Sequence, residues 1–164
     1  MVRAMLIAVL ITIGLQGNAQ TESRITRYNY FFLEAIRQQE MGNLAAAFDL
    51  LNHARDINPK APEVYYEIAG YYVAMQNSKA ARYNFEQAAK LAPDNSTYLE
   101  KLGQFYISQN NYEDALTTYE QLYTSNKTRE DVLQILYQLY GAQNNYKKMI
   151  EMIERMELLS GASE

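Results

Sequence analysis

One period governs this chain. Ala47, Ala81, Ala115 and Met149 stand 34 residues apart, and so do Tyr72, Tyr106 and Tyr140. The same spacing joins Ala35, Ala69, Gly103 and Tyr137, and Leu51, Phe85, Tyr119 and Ile153. It also joins Asn43, Asn77, Asn111 and Asn145, and Pro59 with Pro93. A fixed period of this length signals stacked supersecondary units, none of which buries its apolar face alone. Each unit reads as two helices. In "PEVYYEIAGYYVAM", Tyr65, Ile68, Ala69 and Tyr72 make one helical stripe, and in "SKAARYNFEQAAKLAP" Ala81, Phe85, Ala88 and Leu91 make another. The Asn column lies in the polar turn between them and is expected to end the first helix in the left-handed conformation. Pro59 and Pro93 end the second helix. Thr97 with Glu100 fits a capping box, and Thr128 with Asp131 a weaker one.

These columns resemble the tetratricopeptide repeat (TPR) family, whose pattern is large aromatic, Leu, small, Tyr, then Ala, aromatic, Ala and Pro. One unit matches with Tyr65, Ile68, Ala69, Tyr72, Ala81, Phe85, Ala88 and Pro93. The next matches with Leu99, Leu102, Gly103, Tyr106, Ala115 and Tyr119, and departs at Leu122 and Lys127. The first has Phe31, Ala35, Ala47, Leu51, Ala54 and Pro59, but Glu34 and Gln38 replace Leu and Tyr. The last puts Tyr137 and Met149 where small residues are usual. The resemblance implies an all-α fold: a right-handed α-solenoid of four helix-turn-helix units. The expected bounds are repeats at 28–61, 62–95, 96–129 and a degenerate 130–160, with a tail at 161–164.

Ahead of the repeats, "MVRAMLIAVLITIGLQGNAQ" places Arg3 before an apolar run from Ala4 to Leu15 and a polar, small-residue stretch ending at Ala19. The run is shorter than the roughly 20 residues a membrane span needs. It reads as a signal peptide cut after Ala19, with a short linker at 20–27; an uncleaved membrane tether is the alternative. The expected location is a bacterial periplasm. There is no Cys, which removes thiol catalysis, Cys-based zinc sites and a lipid-modified N-terminal Cys. The net charge is −4 and there is no basic tract, so nucleic acid is not an expected partner. The aromatic content is 15 Tyr and 5 Phe with no Trp, which suits half-wet interfaces between amphipathic helices.

The inventory for chemistry is empty. His53 is the only histidine and reads as a solvated or half-buried side chain, with no metal-ligand spacing around it. No phosphate loop or nucleophile elbow occurs. No catalytic residue, metal or cofactor is expected, and neither is a small-molecule substrate. An enzyme is the weakest alternative. Asn95-Ser96-Thr97 and Asn126-Lys127-Thr128 match the glycan acceptor pattern but read as helix-start chemistry.

A binding surface remains. In TPR-like arrays the first helix of each unit lines the concave face. That implies a groove of Phe32, Ile36, Glu63, Tyr66, Val73, Glu100, Gln104, Ile107 and Asp131, with Asn29, Gln39, Gly70, Thr97, Gln134 and Gln138 beside them. None is basic, which excludes the family's clamp for a C-terminal carboxylate. The expected partner is a protein or peptide segment of apolar or basic character. The alternative is that Phe32 and Tyr66 only pack against each other. The last helix adds a second surface. Met149, Ile153 and Met156 fall in core columns, whereas Ile150, Met152, Leu158 and Leu159 are expected on an apolar C-terminal edge. Terminal repeats normally carry a polar outer face. A following repeat, a second copy of the chain or another partner would cover such an edge. The chain thus reads as a protein-interaction scaffold, with a longer array or a self-associating module as the alternative.

Overall fold

The computed structural model describes the backbone of residues 2–161 and the side chains of residues 21–161. The chain forms eight helices among the described residues, and no strand. They are α1 (Val2–Glu40), α2 (Leu44–Ile57), α3 (Pro62–Ala74), α4 (Ser78–Leu91), α5 (Ser96–Ser108), α6 (Tyr112–Ser125), α7 (Glu130–Ala142) and α8 (Tyr146–Gly161). Each helix packs on its neighbours along the chain, most extensively within the pairs α1/α2, α3/α4, α5/α6 and α7/α8. The core is therefore a strip rather than a ball. One cluster runs from Tyr28 to Ile68 and a second from Ala69 to Met152, with Tyr72 against both.

Small residues make the pairs close. Ala35, Ala47, Ala69, Ala81 and Ala115 are wholly buried where two helices meet. Leu51, Phe85 and Tyr119 fill the space beside them, all buried.

The Asn column works differently from expectation. The left-handed residue is the one before it: Gly42, Gln76, Asn110 and Asn144, with φ of 80°, 56°, 56° and 56°. Asn77, Asn111 and Asn145 instead accept a hydrogen bond from a backbone N–H three residues on, at Ala80 (3.1 Å), Asp114 (3.4 Å) and Lys148 (3.2 Å). A short amide reaches the orphan donors of the helix that follows. Asn95 does the same for Tyr98 (3.2 Å), so Asn95 caps α5 and Thr97 lies inside the helix rather than at a capping box. At α7 the cap is Arg129, with no side-chain cap bond; the Thr128 hydroxyl turns back to Asn126 Oδ1 (2.8 Å).

The expected linker 20–27 is helical and belongs to α1. Arg24 Nε donates to the carbonyl of Ile57 (2.6 Å), which ties this stretch to the end of α2. An orphan carbonyl at a helix C-terminus favours a cation. The expected leader 1–19 and the tail beyond Gly161 lie outside the described side chains. Among the described residues, no helix is long and apolar enough to cross a membrane.

α8 corrects the expected C-terminal edge. Met152 is core, 3% exposed, and Leu159 is half-buried against the same cluster. Ile153, expected to be core, is 39% exposed, while Met149 and Met156 pack against the core. Ile150 and Leu158 are exposed as expected, at 57% and 74%. Met152 stands in the column of Asn84 and Thr118, whose polarity suggested a wet face. Both are buried. Asn84 Nδ2 donates to the carbonyl of Ala80 (2.8 Å), and the Thr118 hydroxyl donates to that of Asp114 (2.7 Å). Such side chains bond their own helix one turn back and can then be buried.

Candidate binding groove

The sequence-derived groove residues divide into two sets. The carboxylates are occupied. Tyr28, buried and stacked on Phe32 (5.9 Å between centroids), donates its hydroxyl to Glu63 Oε1 (2.5 Å). Arg129 donates to Glu100 Oε1 (2.7 Å) and to both oxygens of Asp131. That pairing holds the Asp131 carboxyl below its ordinary range. Arg129 is thus a basic residue between two carboxylates predicted to stand free. The apolar members have partners too. Tyr66 lies against Tyr98 (5.2 Å) and Phe85 (6.3 Å), and Ile36 is half-buried. No ring contact joins Phe32 to Tyr66. Ile107 packs against the main core, and Val73 and Gln104 are exposed.

A pocket opens between α3 and α5. Its volume is about 450 Å³ and its lining is mostly apolar. Tyr66, Gly70 and Val73 form one wall, Lys101, Gln104 and Ser108 the other, and Phe85 and Phe105 the floor, their rings 5.5 Å apart. Gly70 leaves its wall open, since a Cβ added there meets nothing within 4 Å. Glu67 edges this pocket and a second, shallower one with Gln39, Leu44 and Tyr71. Desolvation raises the Glu67 carboxyl above its usual range, partly offset by a hydrogen bond from Gln39. Glu67 and Lys101 form no ion pair among the described residues.

Reasoning from columns missed Glu67, Lys101, Phe85, Phe105 and Ser108. A helix between two neighbours shows each a different flank. α3 faces α5 with positions 66, 70 and 73; α5 answers with 104, in the column of Gly70, but also with 101, 105 and 108, which belong to other columns. The signal that could have found the charged rim is that Glu67 and Lys101 are themselves 34 apart.

His53 is exposed, its ring edge-on to Phe31 at 4.2 Å. No group of three His, Asp or Glu side chains among the described residues is placed to hold a metal.

Tyrosine hydroxyls tie successive units together. Tyr106 donates to Glu86 Oε1 (2.8 Å), and Tyr140 donates to Glu120. Burial first, and the neighbouring carboxylate second, push the phenols of Tyr28, Tyr106 and Tyr140 far above their ordinary pKa of 10. A raised native pKa contributes stability that is fully present below the unfolded value and lost as pH rises beyond it. Stability is therefore expected to hold to about pH 9.5. Above pH 10 it falls by about 1.4 kcal/mol per pH unit for each of these tyrosines, because the unfolded chain ionises first. Urea midpoints between pH 8 and 11, followed with tyrosinate absorbance, test this. Ordinary phenol titration with the helices intact would contradict it.

The arrangement of paired helices can be compared with known proteins. The tetratricopeptide repeat family model matches residues 72–139, less than half of the chain. A crystal structure of MamA superposes with a TM-score of 0.68 at 15% identity, over 83% of this chain and 80% of that one. A tetratricopeptide repeat protein from Parabacteroides merdae gives 0.69 at 19% identity, over 80% of this chain and 52% of that one. The fold is a TPR-like α-solenoid. A MamA fragment from Desulfovibrio magneticus gives 0.63 at 14% identity, over 82% and 76%. No curated protein matches this chain in sequence. Identities this low establish the shared TPR fold and leave the groove to be argued from its own residues.

Proposed function

We propose that the protein is an exported, non-enzymatic scaffold that holds a segment of a partner protein in its groove. The observation that carries this is the pocket between α3 and α5. It is apolar, floored by Phe85 and Phe105, and its wall is open at Gly70. Concave, largely apolar sites with a few polar groups at the rim are where ligands anchor. An apolar side chain of the partner enters the pocket, and a basic group beside it meets Glu67, whose desolvated carboxyl has no ion partner. A preformed site limits the entropy lost on binding. Export rests on the leader reading of residues 1–19. N-terminal sequencing of the protein from the cell envelope tests it, with Gln20 expected first; an uncleaved chain in the membrane fraction would indicate a tether.

Glu63 and Glu100 are poor targets for testing the groove, because each holds a hydrogen bond inside the fold. Gly70 is better. Gly70→Leu fills the pocket from an exposed helix position with free space around it, and Gly is the weaker helix former by about 0.8–1.0 kcal/mol relative to Ala. Thermal stability is expected to hold or rise, while proteins captured from an envelope extract by the wild type are lost. An unchanged set of captured proteins would defeat the reading.

A further inference from the structure

The outer face of α8 repeats the seats on which α5 and α7 rest. α5 meets α4 through Leu102, Phe105 and Tyr106, all buried, with Phe105 against Phe85 and the Tyr106 hydroxyl on Glu86. α7 brings Leu136, Leu139 and Tyr140, all buried, with the Tyr140 hydroxyl on Glu120 of α6. The docking helix thus carries Leu, two residues, Phe or Leu, then Tyr. The acceptors Glu86 and Glu120 are 34 residues apart, and the next in the series is Glu154. Glu154 is exposed and has no hydrogen bond or ion pair among the described residues. Beside it, Ile153 continues the column of the buried Phe85 and Tyr119, and Ile150 that of the half-buried Leu116. Both isoleucines are uncovered.

The opposite end of the array lacks the matching face. Where the docking helices have Leu, Phe or Leu, and Tyr, α1 has Glu34, Arg37 and Gln38. Glu34 accepts hydrogen bonds from Arg37 (2.5 Å) and Gln38 (2.7 Å), and these hold its carboxyl down at about 2. At these three positions the N-terminal edge is polar and satisfied, although Tyr30 and Leu33 of the same helix are exposed. A second copy stacked end to end in the register of the repeat would set Glu34 and Arg37 against Ile150 and Ile153, and would bring Gln38 rather than a tyrosine to Glu154.

We propose that the outer face of α8 docks an amphipathic helix of a partner protein, one with a Leu-x-x-(Leu/Phe)-Tyr stripe whose tyrosine hydroxyl donates to Glu154. Affinity comes from covering Ile150 and Ile153. The phenol–carboxylate bond sets the register, because hydrogen bonds to an ionised acceptor are the stronger kind. This surface is separate from the groove between α3 and α5, so the two readings stand or fall independently.

The test uses the full chain and a fluorescent peptide with the α7 sequence, Arg129–Asn144, which carries the stripe. Saturable binding by anisotropy is expected. Ile150→Asp or Ile153→Asp in the chain abolishes it, with helicity by circular dichroism unchanged. Glu154→Ala in the chain, or Tyr140→Phe in the peptide, each weakens binding roughly tenfold, and the two together weaken it no further than one alone. Gly70→Leu leaves it unchanged. Absent saturable binding, indifference to Ile153→Asp, or additive effects of the Glu154 and Tyr140 changes would each overturn the proposal. So would a dimer in sedimentation that Ile153→Asp dissociates, which would assign the face to a second copy.

Discussion

Tyr119→Ala is expected to cost about 3–5 kcal/mol of unfolding free energy, and Gly103→Ala about 1–3 kcal/mol. The second value runs against helix propensity, which favours Ala over Gly by about 1 kcal/mol. Tyr119 is only 1% exposed and lies in α6 against α5. A Cβ built on Gly103 would stand 2.6 Å from its Cε2 and 3.0 Å from its Cδ2. The ring is enclosed on all sides, so it cannot retreat as a flexible side chain would. The pair is matched in volume. In the same two columns, Ala35 and Ala69 stand with Leu51 and Phe85, and only the bulkiest occupant, Tyr119, stands with Gly. The consequence is a change of sign. In a Tyr119→Ala background, Gly103→Ala becomes neutral or stabilising by up to about 1 kcal/mol. Urea unfolding of the four proteins measures the cycle. A wild-type background stabilised by Gly103→Ala would refute the close contact.

The second large effect separates two neighbours on one helix. Met152→Ala is expected to cost about 2–5 kcal/mol, and Leu158→Ala to stay within about 0.5 kcal/mol. Both were expected on the same uncovered edge, yet one is 3% and the other 74% exposed. Met152 lies with Tyr123, Leu136 and Tyr140, where α8 turns back onto α6 and α7. Truncation there leaves a cavity that relaxes only in part. Leu158 has no such surroundings to lose. Equally small shifts of the denaturant midpoint for both would restore the arrangement that sequence columns alone suggested.

That difference shows where sequence reasoning reaches its limit. Hydrophobicity marks a column as buried when its members are apolar, so Ala81, Phe85 and Tyr72 were legible. Asn84 and Thr118 were not, because each donates to a carbonyl one turn back on its own helix, which lowers the cost of burying it, although Asn84 Oδ1 is left without a partner. The groove suffered from the same blindness to partners. Glu63, Glu100 and Asp131 looked available as single residues, but Tyr28 and Arg129 hold them. The neighbouring units have Pro62 where Tyr28 stands and Asn95 where Arg129 stands, so neither pairing recurs along the repeat.

The sequence by itself determined the class of fold. A period of 34 with small residues at two columns, large ones beside them and Asn at the turn admits paired helices stacked in a row. It also placed Glu34 and Gln38 as departures at the first unit, and the structure hydrogen-bonds them to each other. Tertiary structure alone decided which flank of each helix meets the unit before it and which meets the unit after. The physical reason is that a repeat gives every unit the same phases, whereas exposure depends on what lies behind each face. Ile153 shares a column with Tyr119, yet Tyr119 has α7 beyond it, whereas among the described residues nothing covers Ile153, which is 39% exposed.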